Sequence, residues 1–65
     1  MNEMIKCWLE QLYANEIEDV KGTISNERLW EHGYDGKEPF NPHTENIAVL
    51  IEYIEVLEDL LEELK

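Results

Sequence analysis

Residues 47–64, IAVLIEYIEVLEDLLEEL, decide the fold, because twelve of these eighteen residues are apolar and follow a helical period. Six of them alternate in steps of three and four, which is the heptad spacing of a helix–helix seam: Ile47, Leu50, Ile54, Leu57, Leu61 and Leu64. A second apolar stripe runs beside this seam: Val49, Tyr53, Val56 and Leu60. The segment therefore predicts a helix with more apolar surface than one narrow contact covers.

The second stripe has two interpretations, which the sequence leaves open. A surface helix normally buries one stripe of about 100°. The additional residues either widen a single core face or form a separate face for another subunit. We expect self-association, through eight residues of this helix: Ile47, Leu50, Tyr53, Ile54, Leu57, Leu60, Leu61 and Leu64.

The segment before this helix predicts a loop over residues 33–43, which contain two of the three glycines and both prolines. Asn41 is a suitable N-cap with Pro42 at the first helical position, where a missing N–H costs nothing. Thr44 is the alternative cap. We place the second helix at about residues 44–65.

The N-terminal half predicts a first helix over about residues 2–32. Its apolar residues form one broad stripe: Ile5, Leu9, Leu12, Tyr13, Ile17, Val20 and Ile24. Gly22 could end a helix, with a short helix following from about Ser25. We favour a single helix that Gly33 ends, because Ile24 stays in phase with Ile17 and a mid-helix glycine costs only about 1 kcal/mol. Trp8, Tyr13 and Tyr53 fall on the apolar stripes and are expected in the core.

These elements predict one all-α domain over residues 1–65, an antiparallel helical hairpin. Chains of this length bury little surface, and the single cysteine, Cys7, excludes an intrachain disulfide. Association is the remaining common source of stability. We therefore expect a homodimer in which two hairpins form a four-helix bundle.

Charge is the main functional signal of the sequence, with 16 acidic against 5 basic residues and a net charge of −11. Such a chain repels nucleic acid, so no direct nucleic-acid binding is expected. Four acidic residues line one side of the second helix: Glu52, Glu55, Asp59 and Glu62. They are either a solvated surface that maintains solubility or a binding surface for a basic protein partner.

Aromatic residues concentrate around the loop, as Trp30, Tyr34 and Phe40. Aromatic side chains near a surface loop are typical interface anchors. They could equally fold over the open end of the bundle as a cap. Both interpretations stay open.

Catalysis is not expected from this sequence, and neither a metal site nor a cofactor is predicted. His32 and His43 flank the loop, but the chain has no His-x3-His, Glu-x-x-His or cysteine pair. Asp35-Gly36 is typical of a turn. Cys7 lies in the apolar first turns and is expected to be a packed thiol rather than a nucleophile.

The longest uninterrupted apolar run is residues 47–51, far below the roughly 18–20 residues that a membrane span needs. The N-terminus lacks a basic leader followed by a long apolar core. A lone thiol is typical of a reducing compartment. We therefore expect a cytoplasmic protein without a membrane anchor.

In size, acidity and helical pattern the chain resembles small phage-encoded proteins that inhibit bacterial defence systems or host enzymes. The resemblance includes the segment Asn26-Glu27-Arg28-Leu29-Trp30 before a glycine-containing loop. It implies a non-catalytic binding protein that inhibits or modulates a larger protein. The alternative is a structural protein whose role is oligomerisation itself.

Overall fold

Two helices, α1 at Glu3–Gly33 and α2 at Pro42–Glu63, pack against each other as a hairpin. This computed structural model describes residues 2–36 and 40–65, and within these ranges it contains no strand. The predicted all-α hairpin is therefore confirmed. Met1 and residues 37–39 of the predicted loop lie outside the described residues.

The first helix is continuous through Gly22, as predicted, and does not break there. Gly33 was expected to end it but is instead its last helical residue, and no described glycine has a positive φ. The chain leaves the helix at Tyr34, whose backbone is extended and whose N–H donates to the Glu31 carbonyl at 3.4 Å. The helix thus ends without a left-handed glycine cap.

Asparagine side chains cap both helices. The Asn2 Oδ1 accepts from the Met4 N–H at 2.7 Å, and the Asn41 Oδ1 accepts from the His43 N–H at 2.9 Å. α2 begins at Pro42 behind the Asn41 cap, as predicted, rather than behind the alternative cap Thr44. Its first residue lies two positions before the approximate start given at residue 44. The Asn41 side chain also donates to the Glu31 carbonyl at 3.0 Å. One residue therefore caps α2 and binds the last turn of α1.

The core is a single seam between the two helices. Ile17, Val20 and Ile24 of α1 and Ile47 and Leu57 of α2 are the buried apolar residues of the described ranges, with Leu50 and Ile54 packed beside them. The Cα positions extend over 53 × 16 × 10 Å. Because the two helices lie side by side as one layer, both broad sides of the hairpin face solvent.

Several residues that were predicted to be buried are exposed. Trp8 is 65% and Tyr53 is 41% exposed, while Tyr13 is half-buried. Cys7, expected as a packed thiol, is also exposed. The physical reason is that each helix has one neighbour and buries one narrow seam against it. The broad stripe of α1 is therefore only partly covered.

Gly22 offers a direct test of helix continuity. A Cβ added there meets nothing within 4 Å, and glycine costs about 1 kcal/mol relative to alanine inside a helix. Gly22→Ala should raise the free energy of unfolding by about that amount, measured by urea denaturation followed by circular dichroism. Gly36→Ala is the contrasting variant, because its Cβ would collide with the Tyr34 phenol ring. A loss of stability in Gly22→Ala would contradict a continuous α1.

Candidate protein-interaction surfaces

Several of the large apolar side chains that stay exposed fall along one line of each helix, while Met4, Trp8, Leu29 and Ile51 are exposed outside these lines. On α2 the line contains Val49, Tyr53, Val56 and Leu60, which are 57%, 41%, 53% and 36% exposed. On α1 the corresponding line contains Ile5, half-buried Leu9, Leu12 and Trp30. Together these eight residues are called the apolar face.

Both lines lie on the same side of the hairpin. Most residues of each line directly precede a residue that faces the other helix, as Leu12 precedes Tyr13 and Val56 precedes Leu57. Each line is therefore rotated by about 100° from the seam, in the same sense on both helices. Because the helices are antiparallel, the same sense of rotation brings both lines to one side.

The opposite side of the hairpin contains a shallow open cleft of about 410 Å³. Its lining is more polar than the apolar face and consists of Cys7, Glu10, Gln11, Ala14, Leu61 and Lys65. The two broad sides therefore differ in chemistry. Only one of them presents a continuous apolar stripe.

The hairpin exposes more area than a compact monomer of its mass. A compact monomer of 7.7 kDa is expected to expose about 4,300 Å², whereas this chain exposes 5177 Å². The excess of nearly 900 Å² is about what one partner contributes to a standard protein interface, roughly 800 Å².

The eight residues predicted for the oligomer interface divide into two groups in the structure. Ile47 and Leu57 are buried within the chain, and the seam residues Leu50, Ile54, Leu61 and Leu64 are half-buried there. Tyr53 and Leu60 are exposed on the apolar face. The seam of α2 therefore holds the hairpin together, and the second stripe stays exposed.

The predicted acidic residues form a separate exposed surface. Glu52, Glu55, Asp59 and Glu62 are all exposed along α2, on the side opposite the seam and about 100° around the helix from the apolar stripe. Within the described residues, Glu62 has one intrachain ion pair, with the Lys65 Nζ at 3.9 Å, and both side chains are well solvated. Ion pairs between exposed side chains contribute little to folding stability. We call these four residues the acidic face.

A buried polar cluster joins the helices near the loop. Glu27 is 9% exposed, and its Oε2 lies 2.7 Å from the His43 Nδ1. The same oxygen accepts from the Asn46 amide at 3.3 Å. The Thr44 hydroxyl donates to the Glu31 carboxylate at 2.5 Å. Carboxylates of α1 are thus satisfied by side chains from the first turns of α2.

Of the predicted loop aromatics, two pack on the imidazole of His43. The ring centroids of Trp30 and Tyr34 each lie 5.8 Å from that of His43, in tilted and edge-on arrangements. Trp30 nevertheless stays 55% exposed, and Phe40 is 59% exposed. The cluster therefore covers the histidine and still presents two aromatic side chains to solvent, so both interpretations of the loop retain support.

Sequence reasoning considered His43 for a site but missed its partner. Glu27 follows Val20 by seven residues and Ile24 by three, so it continues the buried stripe of α1. A carboxylate at a seam position needs a hydrogen-bonding partner when buried, and that is the signal that could have identified it. Among the described residues, no group of three or more His, Cys, Asp or Glu side chains is arranged to hold a metal ion.

Comparisons with protein-family models, curated proteins and solved structures found no match. In the described part of the chain, neither helix combines the length and apolar character needed to cross a membrane.

Removing the Glu27 carboxylate should weaken the hairpin. Glu27→Ala leaves His43 and Asn46 without their shared acceptor, at a cost of about 1–3 kcal/mol. Glu27→Gln keeps one carbonyl acceptor and should lose clearly less stability than Glu27→Ala. Thermal denaturation followed by circular dichroism measures both. Equal stability of Glu27→Ala and the parent chain would contradict a structural role for the cluster.

Proposed function

We propose that this protein is a small acidic, non-catalytic binding protein. In this proposal it dimerises through its apolar face into a four-helix bundle, and it inhibits or modulates a larger protein that has a basic surface. An inhibitor of this type matches the small phage-encoded proteins that the chain resembles. It would act in the cytoplasm.

The observation that carries the proposal is the separation of apolar and acidic residues on α2. Val49, Tyr53, Val56 and Leu60 point to one side, and the acidic face lies about 100° around the helix from them, opposite the seam. Exposed apolar stripes of this kind mark protein–protein contacts. Dimerisation through the apolar face would leave the acidic face accessible in both subunits.

A second copy is the occupant that best fits the apolar face. The excess exposed area agrees with one subunit's share of a standard interface. Two-fold symmetry places the same surface on both partners, so each apolar stripe would cover another apolar stripe. A bundle formed in this way also gives the small chain the shared core that a single hairpin lacks.

The acidic face fits a basic partner because three of its four carboxylates have no ion pair among the described residues, and the pair of Glu62 with Lys65 is solvated. Four carboxylates over ten residues of helix cover about 15 Å, comparable to a few phosphates of a nucleic-acid backbone. This spacing favours a partner whose basic groove normally binds nucleic acid. Electrostatic complementarity of this kind speeds association and selects partners.

The alternative function is structural, with the bundle itself as the role of the protein. The amount of exposed apolar surface supports it as well. It differs from the first proposal in requiring no partner for the acidic face.

Adjacent residues of α2 separate dimerisation from folding. Val56→Glu places a charge on the apolar face and should give a folded monomer near 7.7 kDa in sedimentation equilibrium at micromolar concentration. Leu57→Glu places the charge in the core, where Leu57 is 4% exposed, and should unfold the chain. The parent chain should sediment as a dimer.

Ile51→Glu is the matched control, because Ile51 is 40% exposed on the other side of α2. This variant should remain dimeric. A parent chain that sediments as a monomer would overturn the proposed dimer, and equal dissociation in Val56→Glu and Ile51→Glu would remove the apolar face as its basis.

Salt dependence tests the acidic face. The immobilised protein should capture its partner from host lysate at low salt and release it at high salt, because exposed charges are screened over about 8 Å at physiological ionic strength. The variant Glu52→Gln/Glu55→Gln/Asp59→Asn should lose the capture. A variant with the same charge change on α1, Glu3→Gln/Glu18→Gln/Asp19→Asn, should keep it.

Other outcomes of the capture experiment favour other surfaces. Capture that resists salt and is lost in Trp30→Ala would favour the aromatic residues around the loop as the partner-binding surface. No partner at either salt concentration would favour the structural role.

A further inference from the structure

We infer that the dimer is centred on α2, which packs antiparallel against α2 of the partner and places the two loops at opposite ends of the bundle. This inference rests on the proposed dimer and specifies its geometry. A two-fold axis between two facing hairpins runs either across the helices or along them. An axis across the helices puts α2 on α2 and α1 on α1, whereas an axis along them puts α1 on the partner's α2.

The exposed apolar stripe of α2 is complementary to itself in the antiparallel direction. Its residues Val49, Tyr53, Val56 and Leu60 follow one another in steps of four, three and four, an order that is the same from either end. When two copies pair about the midpoint between Tyr53 and Val56, Val49 meets the partner's Leu60 and Tyr53 meets the partner's Val56. Every exposed residue of the stripe then covers an apolar neighbour.

Other registers of the two α2 helices cover less of this stripe. The residues that flank it along α2 are Glu45 and Glu63, and both are exposed. Sliding one helix by seven residues would leave only half of the stripe paired with itself and bring one of these carboxylates towards the other half. Burying a carboxylate against apolar side chains is costly, so the central register is favoured.

Contacts near the loop fix which levels of α1 and α2 lie side by side. Glu27 of α1 contacts both His43 and Asn46 of α2. Because both helices rise by about 1.5 Å per residue, two residues at the same level have numbers that add up to about 71 or 72. The middle of the α2 stripe therefore lies level with about residue 17 of α1.

The α1 residues near that level are polar, which opposes an axis along the helices. Glu16 and Thr23 are exposed on the same broad side as the α2 stripe, level with Val56 and Val49. With the axis along the helices, they would cover Val56 and Val49 of the partner. A carboxylate would then lose water against an apolar surface that offers it no hydrogen bond.

With the axis across the helices, α1 meets its own copy and contributes apolar contact mainly at its ends. Ile5 comes level with about residue 29 of the partner's α1, beside the exposed Trp30. Near the axis, the exposed carboxylates of Glu16 and Asp19 come to similar levels in both chains. Like charges oppose close approach, so the two α1 helices lie further apart than the two α2 helices and water separates the carboxylates.

This arrangement also determines where the two acidic faces lie. A two-fold axis across the helices brings the side of α2 that is opposite the seam to the same side of the dimer in both chains. The acidic face occupies that side, so its two copies adjoin with four carboxylates from each chain. The joined surface is about 22 Å long between the two Glu62 residues, against about 15 Å for one face. A basic partner would contact both subunits at once.

A disulfide test locates α2 on α2. Val56→Cys in a Cys7→Ser background places one thiol per chain less than two residues from the axis, where the two can form a disulfide. Oxidation should convert this variant largely into a covalent dimer. Ile51→Cys in the same background is the matched control, because Ile51 is exposed on the other side of α2, and it should stay non-covalent. Equal cross-linking of the two variants, or none in a Val56→Cys chain that sediments as a dimer, would overturn the inference.

Distances between spin labels test the orientation independently. Labels are placed singly at His32→Cys and at Glu3→Cys, each in a Cys7→Ser background, because both sites are exposed and near opposite ends of α1. The dimer is confirmed for each variant by sedimentation, and the distance is measured by double electron–electron resonance. Dilution with unlabelled protein should remove the signal, since it is intermolecular.

The axis across the helices predicts about 40 Å or more at both sites, because each site lies over 20 Å from the middle of the bundle at about 1.5 Å per residue. The axis along the helices predicts about 30 Å or less at both, which is the width of a four-helix bundle plus the labels. Short distances in a dimer overturn this inference alone. A monomeric mass of the parent chain overturns the proposed dimer and the inference with it.

Discussion

The seam between Ile17, Val20 and Ile24 of α1 and the heptad residues of α2 is the constraint on which the described structure depends. Two helices in contact can bury only one narrow stripe each. Everything apolar outside that stripe must remain exposed or be covered by another molecule. The exposed Tyr53 and Val56 are therefore a direct result of having only two helices, and the proposed dimer follows from the same constraint.

Around this seam the chain distributes polar groups with different tasks. Near the loop, Glu27, His43 and Asn46 form a satisfied cluster that fixes how the helices are aligned. Polar contacts of this kind specify one arrangement more sharply than aliphatic packing, which tolerates sliding. The carboxylates of the acidic face have no comparable partners among the described residues. Their charge remains available at the surface.

Much of the fold could be predicted from the sequence, because its strongest signals are local. The heptad of α2, the Asn41-Pro42 start and the continuity of α1 through Gly22 depend on residues close in the chain. The contact of Glu27 with His43 spans sixteen residues and could not be derived from local spacing. The exposure of Trp8 and Cys7 was missed for a related reason, since periodicity shows which residues share a stripe but not how much of it a neighbour covers.

Three consecutive residues of α2 illustrate how closely its surfaces are spaced. Glu55 belongs to the acidic face, Val56 to the apolar face and Leu57 to the core. A helix turns by about 100° per residue, so deleting a single residue before this point would rotate all three surfaces together. Glu55 would enter the seam position of Ile54, and Val56 would turn towards solvent at the position of Glu55. A point substitution can alter one surface at a time. The number of residues between Pro42 and Glu55, in contrast, is constrained by the acidic face, the apolar face and the core together.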